Sequence, residues 1–150
     1  MSMTLMIAAR DRLAAELARA GSPLHDWADA NAPVHLELGY RRPATADGWP
    51  FLALEATRDR RDLRSGKGDV AQIALVAGYM LADQSRSQAA GILAVDALAE
   101  AALAALALPW MSEWAGRRWD ARTAERVDMV SRHPNYELEI AVAFGRVGLN

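Results

Sequence analysis

Apolar residues recur every three to four positions at the start of the chain and every second position in several later stretches. These two periods lay out the secondary structure. Leu5, Ala9, Leu13, Leu17 and Ala20 fall at helical spacing, with Arg10, Arg12, Glu16 and Arg19 largely on other faces, and Gly21 is a natural stop. Ser22 and Pro23 then supply an N-cap and a first-turn proline for a short helical turn through Trp27 to Ala30. From Val34 to Tyr40 the order Val-His-Leu-Glu-Leu-Gly-Tyr alternates, which predicts a strand with Val34, Leu36, Leu38 and Tyr40 on one face. Pro43 to Gly48 is turn chemistry, and Trp49, Phe51, Ala53 and Ala56 mark a second extended run.

A third strand is predicted in DVAQIALVAGYML through Val70, Ile73, Leu75, Val76 and Tyr79. Its low charge suits a central position, and Gly78 marks a bulge or a close approach. Asp83 to Ser87 is a polar junction. Gln88 to Ala107 reads as a long helix ended by Pro109, with Ile92, Val95, Leu98, Ala102, Leu103 and Leu106 as the apolar stripe that covers a sheet. Arg122 to Val130 and Tyr136 to Phe144 are further strands, joined through the turn Ser131 to Asn135 as a hairpin. The expected fold is α+β: a mainly antiparallel sheet packed on one face by an N-terminal helix and a long central helix, with a C-terminal β-hairpin.

The length of 150 residues suits one domain, residues 1–150. A net charge of −2 gives no whole-molecule attraction to nucleic acid or anionic lipid, so any such attraction must be local. Without cysteine there is no disulfide, thiolate metal site or cysteine nucleophile. The first residues meet Arg10, Asp11 and Arg12 too early for a secretory leader, and the apolar run from Ala89 to Leu108 contains Asp96 and Glu100, so a packed helix is expected there and no membrane partner.

Most of the candidate chemistry fails on inspection. The segment RDRRDLRSGKGDV carries the chain's one lysine, Lys67, between Gly66 and Gly68. A phosphate loop would need Ser or Thr after that lysine and a helix beyond it, whereas Gly68 and a strand follow. Arg58, Arg60, Arg61, Arg64 and Lys67 are interleaved with Asp59, Asp62 and Asp69, and no aromatic residue lies among them to stack a base. A solvated inter-strand connection is the plainer reading. His25, His35 and His133 have no ligand spacing, so no metal is expected. No nucleophile elbow occurs, and neither a catalytic residue nor a cofactor is expected. Glu137 and Glu139 share the polar face of their strand, where a wet surface or a subunit contact is expected and no burial is foreseen. Trp110, Trp114 and Trp119 form either a core plug or, with Arg117 and Arg118, a contact surface.

In its order of parts the chain resembles the small tail-terminator or tail-completion proteins of long-tailed bacteriophages and of phage-derived gene transfer agents. The likeness runs through the first helix, VHLELGY, WPFLALEA, the connection RDLRSGKG, QIALVAGYM, GILAVDALAEAALAALAL and HPNYELEIAVAF. It implies a non-enzymatic virion protein, assembled in the bacterial host cytoplasm. Such a protein forms a homo-oligomeric, typically hexameric ring that caps the tail tube and joins it to the neck, with DNA contact at most through the ring lumen. By position, Arg58, Arg60, Arg61, Arg64 and Lys67 would then meet a neighbouring subunit or the tube protein, with Glu137 and Glu139 as further interface candidates. Three alternatives stay open: a neck or stopper protein of the head–tail connector, a small α+β ligand-binding protein or enzyme using some of His35, Glu55 and Arg117, and a nucleic-acid-binding accessory protein using Arg58, Arg60, Arg61 and Arg64.

Overall fold

The most regular alternation in the sequence builds the middle of the sheet. In the computed structural model, which describes residues 2–56, 70–107 and 118–147, β3 (Val70–Met80) pairs antiparallel with β5 (Asn135–Val147) along its whole length. Beyond β3 lie β2 (Phe51–Ala56), antiparallel to it, and then β1 (His35–Leu38) at the edge. Beyond β5 lies β4 (Arg118–Arg132), so the order across the sheet is β1-β2-β3-β5-β4. The expected α+β architecture is present, with one parallel pair, β1 and β2, in an otherwise antiparallel sheet.

Three helices cover one face of the sheet: α1 (Ser2–Ala18), α2 (Pro23–Ala30) and α3 (Gln88–Ala107). α1 buries Leu5, Ala9 and Leu13 as the spacing requires, and the chain leaves it through Gly21 at φ +88°, a conformation costly for any other residue. Ser22 caps α2 as expected, accepting the His25 N–H at 3.1 Å while donating to the Glu16 carbonyl. Between the helices and the sheet lies one core built from Leu52, Leu54, Ile73, Leu75, Ala77 and the alternate β5 residues Tyr136, Leu138, Ile140, Val142 and Phe144. Trp27 closes one side, donating its indole N–H to the Ala94 carbonyl and meeting Tyr79 edge-on.

Several details differ from the sequence reading. Ile92 is exposed rather than part of the buried stripe. The rest of the expected stripe holds, with Val95, Leu98, Ala102 and Leu106 buried and Leu103 packed against the core, and Gly91, Ala99, Ala101 and Ala105 complete the buried face of α3. Small residues win there because the helix lies close to the sheet: a Cβ on Gly91 would stand 2.0 Å from the Tyr136 ring. By length and composition alone α3 could cross a membrane, yet its sheet-facing side is core. Glu16, expected on a polar face of α1, is 4% exposed and held between Arg12 (3.1 Å) and Arg19 (2.7 Å). Gly78 is a close approach and not a bulge, since the β2–β3–β5 register runs through it unbroken and the Phe51 ring lies over it. Ala56 falls in register with Ile73, on the opposite face from Phe51 and Ala53. The hairpin strands are longer than predicted, with only His133 and Pro134 left in the turn. Pro109, Trp110, Trp114 and Arg117 lie outside the described residues; Arg118 and Trp119 enter only as the first positions of β4.

Candidate functional site: the helix-free face of the sheet

Side chains alternate across a strand, so the register fixes which residues share the face that carries no helix. One row across the sheet reads Glu55, Ala74, Ala141, Glu125, and the next reads Ala53, Val76, Glu139, Asp128. A third reads Phe51, Gly78, Glu137, Val130. The β3 positions of this face, Ala74, Val76 and Gly78, are therefore small and apolar, and the β5–β4 side carries the acidic residues.

Part of the face is covered by the β1–β2 connection, residues 39–50. Because β1 and β2 run parallel, the chain must return from the end of one to the start of the other, and it does so over this face. Gly39 at φ +83° makes the turn, its N–H donating to the Leu54 carbonyl. That turn overrides the alternation of β1. Tyr40, expected beside Val34, Leu36 and Leu38, lies with Trp49, Phe51, Ala53 and Val76 in a second apolar cluster instead. Phe51 meets Trp49 with ring centroids 5.0 Å apart and Tyr40 at 6.2 Å.

The same connection buries one of the two glutamates expected on a wet face. Glu137 is 4% exposed, accepting hydrogen bonds from the Tyr40 hydroxyl and from Arg42 Nε at 2.6 Å, with a second ion-pair contact to the Arg42 guanidinium. Burial, followed by the hydrogen bond to Glu137 and its charge, pushes the Tyr40 phenol up to about 12. The Arg42 guanidinium is likewise held more firmly protonated by its bond to Glu137. Sequence reasoning placed Glu137 on the correct face and missed its cover, which comes from 95 residues earlier in the chain. The available signal was Tyr40, directly after a glycine at the end of a strand, with Arg42 two residues further on.

Glu139 differs from its neighbour. It stays half-exposed, opposite Asp128 on β4, with exposed Glu125 one row away. Facing residues on adjacent strands lie roughly 5 Å apart, and like charges at that spacing repel. Among the described residues, Glu55, Glu125, Asp128 and Glu139 have no cationic partner, whereas Asp96 and Glu100 on the helix side share Arg126. A cleft of about 110 Å³ between Tyr40, Val76, Val130 and the carboxylates of Asp128, Glu137 and Glu139 opens on this face. Among the described residues, no group of His, Asp or Glu is arranged to hold a metal ion.

The other sequence candidates are dispersed. His35 is exposed on the edge strand, rows away from Glu55. His25 belongs to α2, and His133 to the β4–β5 turn. Arg58, Arg60, Arg61, Arg64 and Lys67 lie outside the described residues, in the segment joining Ala56 to Val70. Ala56 and Val70, the described residues on either side of that segment, stand at the end of the sheet where β5 finishes. Compared with known proteins, the chain matches no family model and no curated protein at a significant level.

Proposed function

We propose that the protein is a structural virion subunit, a tail terminator or tail-completion protein. In this reading it closes into a homo-oligomeric ring, caps the tail tube and joins it to the neck. The observation that carries this reading is the helix-free face, where five carboxylates, Glu37, Glu55, Glu125, Asp128 and Glu139, stand without cations among the described residues, on one side of a sheet whose two outer strands, β1 and β4, are unlike. A sheet with two different edges is compatible with head-to-tail contacts, in which one patch meets a different patch on the next copy, and such contacts form a ring when the rotation between copies closes. The chain also carries five basic residues between positions 58 and 67, a complementary charge for that face in a neighbouring copy or in the tube protein. The resemblance in the order of elements supplies the particular assembly, including six-fold symmetry and the junction with the neck.

Native mass measurement and negative-stain microscopy of the purified protein, alone and with tail tubes, test this. A ring that seats on tube ends is expected. A protein that stays monomeric at all concentrations and never binds tubes would overturn it. Reversing charge at Arg60, Arg61 and Arg64, or at Glu125, Asp128 and Glu139, is expected to impair assembly while the monomer stays folded. Cross-linking inside assembled particles separates the terminator from a neck stopper, which would contact the portal-side adaptor instead of the tube.

A further inference from the structure

At the hairpin end of the sheet a single imidazole joins three parts of the fold. His133 contacts the Tyr136 hydroxyl through Nδ1 at 2.5 Å and the Gln84 carbonyl through Nε2 at 2.8 Å. A carbonyl oxygen only accepts, so Nε2 must carry the proton. Nδ1 is then the acceptor, and the Tyr136 hydroxyl donates to it. The hydroxyl belongs to a side chain with no exposed surface, whose ring lies against Gly91 in the first turns of α3. His133 itself is exposed, so a proton reaches the imidazole from solvent while its effect falls on a buried group. A second bond, from the Leu81 N–H to the Pro134 carbonyl at 2.9 Å, ties the same turn to the end of β3.

We propose that His133 is a proton-operated latch: in its neutral Nε2–H form it holds the β4–β5 turn against the β3–α3 junction, and protonation releases that corner. The cause is a donor conflict. A proton on Nδ1 turns that atom into a donor facing the Tyr136 O–H, so the hydroxyl must turn its own hydrogen into the core. The charged and titratable groups on the surrounding elements are Asp83 and Arg86 of the junction, Arg132 of β4 and Tyr79 of β3. Asp83 is engaged with Ser85, and the first turn of α3, Gln88 to Gly91, carries no charge. None of these groups offers the Tyr136 hydroxyl an alternative acceptor among the described contacts.

Hydrogen exchange followed by NMR between about pH 8 and about pH 5, where histidine changes charge, tests the latch. After correction for intrinsic exchange, protection at Leu81 and through residues 82–90 is expected to fall about tenfold on acidification, the order expected when a buried hydroxyl loses its acceptor. His133→Gln can still donate to the Gln84 carbonyl but does not titrate, so its protection should be flat with pH. Tyr136→Phe keeps the ring and removes the conflict, and should be nearly flat as well. Nitrogen shifts of the imidazole should report the Nε2–H tautomer at the upper pH. An Nδ1–H tautomer there, or an acid response equal in the wild type and in His133→Gln, would overturn the proposal. The outcome does not depend on whether the protein forms a ring.

Discussion

Gly78→Ala is the sharpest test of how the helix-free face is closed. A methyl group at this position would stand 2.0 Å from Phe51 Cε2, 2.4 Å from Cζ and 2.6 Å from Cδ2. The ring must retreat by roughly 1.4 Å to reach ordinary contact at 3.4 Å. It has nowhere to go, because Trp49 stands edge-on at 5.0 Å and Tyr40 at 6.2 Å, and Phe51 is 1% exposed. Overpacking of this kind costs about 1–3 kcal/mol, against which replacing a strand glycine recovers about 0.5–1 kcal/mol of backbone entropy. The enclosed position puts the clash at the upper end, so a net loss of about 2 kcal/mol is expected. For a chain of this size that lowers the thermal midpoint by about 4–8 °C.

Urea unfolding of the wild type, Gly78→Ala, Phe51→Leu and the double variant measures the coupling directly. The double variant should be more stable than the sum of the two single losses, by about 1 kcal/mol, since the shorter side chain leaves room for the methyl. Displacing Phe51 also lifts the connection on which Tyr40 and Arg42 are carried. Exchange protection over residues 40–49 should therefore fall with stability. If Gly78→Ala is as stable as the wild type or more so, the ring does not lie over Gly78, and the closure of this face by residues 39–50 is refuted.

Two further outcomes follow from the same face. Tyr40 has its phenol raised from 10.0 to about 12 by burial and by Glu137. The folded state therefore binds this proton more tightly than the unfolded state, and the stabilisation is intact below pH 10 and is lost as pH rises toward 12. Alkaline unfolding curves of Tyr40→Phe should lack that component, and an unchanged slope would count against the Tyr40–Glu137 bond. Asp128→Asn removes one member of the like-charged pair with Glu139, so the monomer should gain about 0.2–1 kcal/mol in urea unfolding, whereas a loss would mean that Asp128 is already compensated.

The elements were legible because their periods are strong: β3, β5 and both long helices announce themselves through residues buried on one face. Strand direction was not, since Leu36 and Leu38 alternate identically whether β1 runs with or against β2. The turn of Tyr40 to the other face hung on a single backbone dihedral at Gly39. In α3 the expected Val95, Leu98, Ala102 and Leu106 are buried, but Gly91, Ala99, Ala101 and Ala105 join them while Ile92 stays exposed, because closeness to the sheet rewards small side chains and a stripe read by hydrophobic size overlooks that. The candidate face was visible only in part. Alternation put Glu137 and Glu139 together, but their different fates depend on the cover from residues 39–50 and on β4's Asp128, neither of which is local in sequence.

The two faces of the sheet treat charge in opposite ways, and this contrast bears most on function. On the helix side, Glu16 has Arg12 and Arg19, and Asp96 and Glu100 share Arg126, so each of these carboxylates is answered within the monomer. On the other side, among the described residues, only Glu137 is answered, by an arginine brought across the face on the β1–β2 connection. Solvent makes lone exposed carboxylates cheap, but Asp128 and Glu139 are placed opposite one another, an arrangement that costs the isolated subunit and that a single substitution would relieve. A cationic partner converts that repulsion into two attractions at once, with the small floor of Ala74 and Ala141 letting a side chain come close. Under the proposed ring assembly, the basic residues between positions 58 and 67 of a neighbouring copy would be that partner.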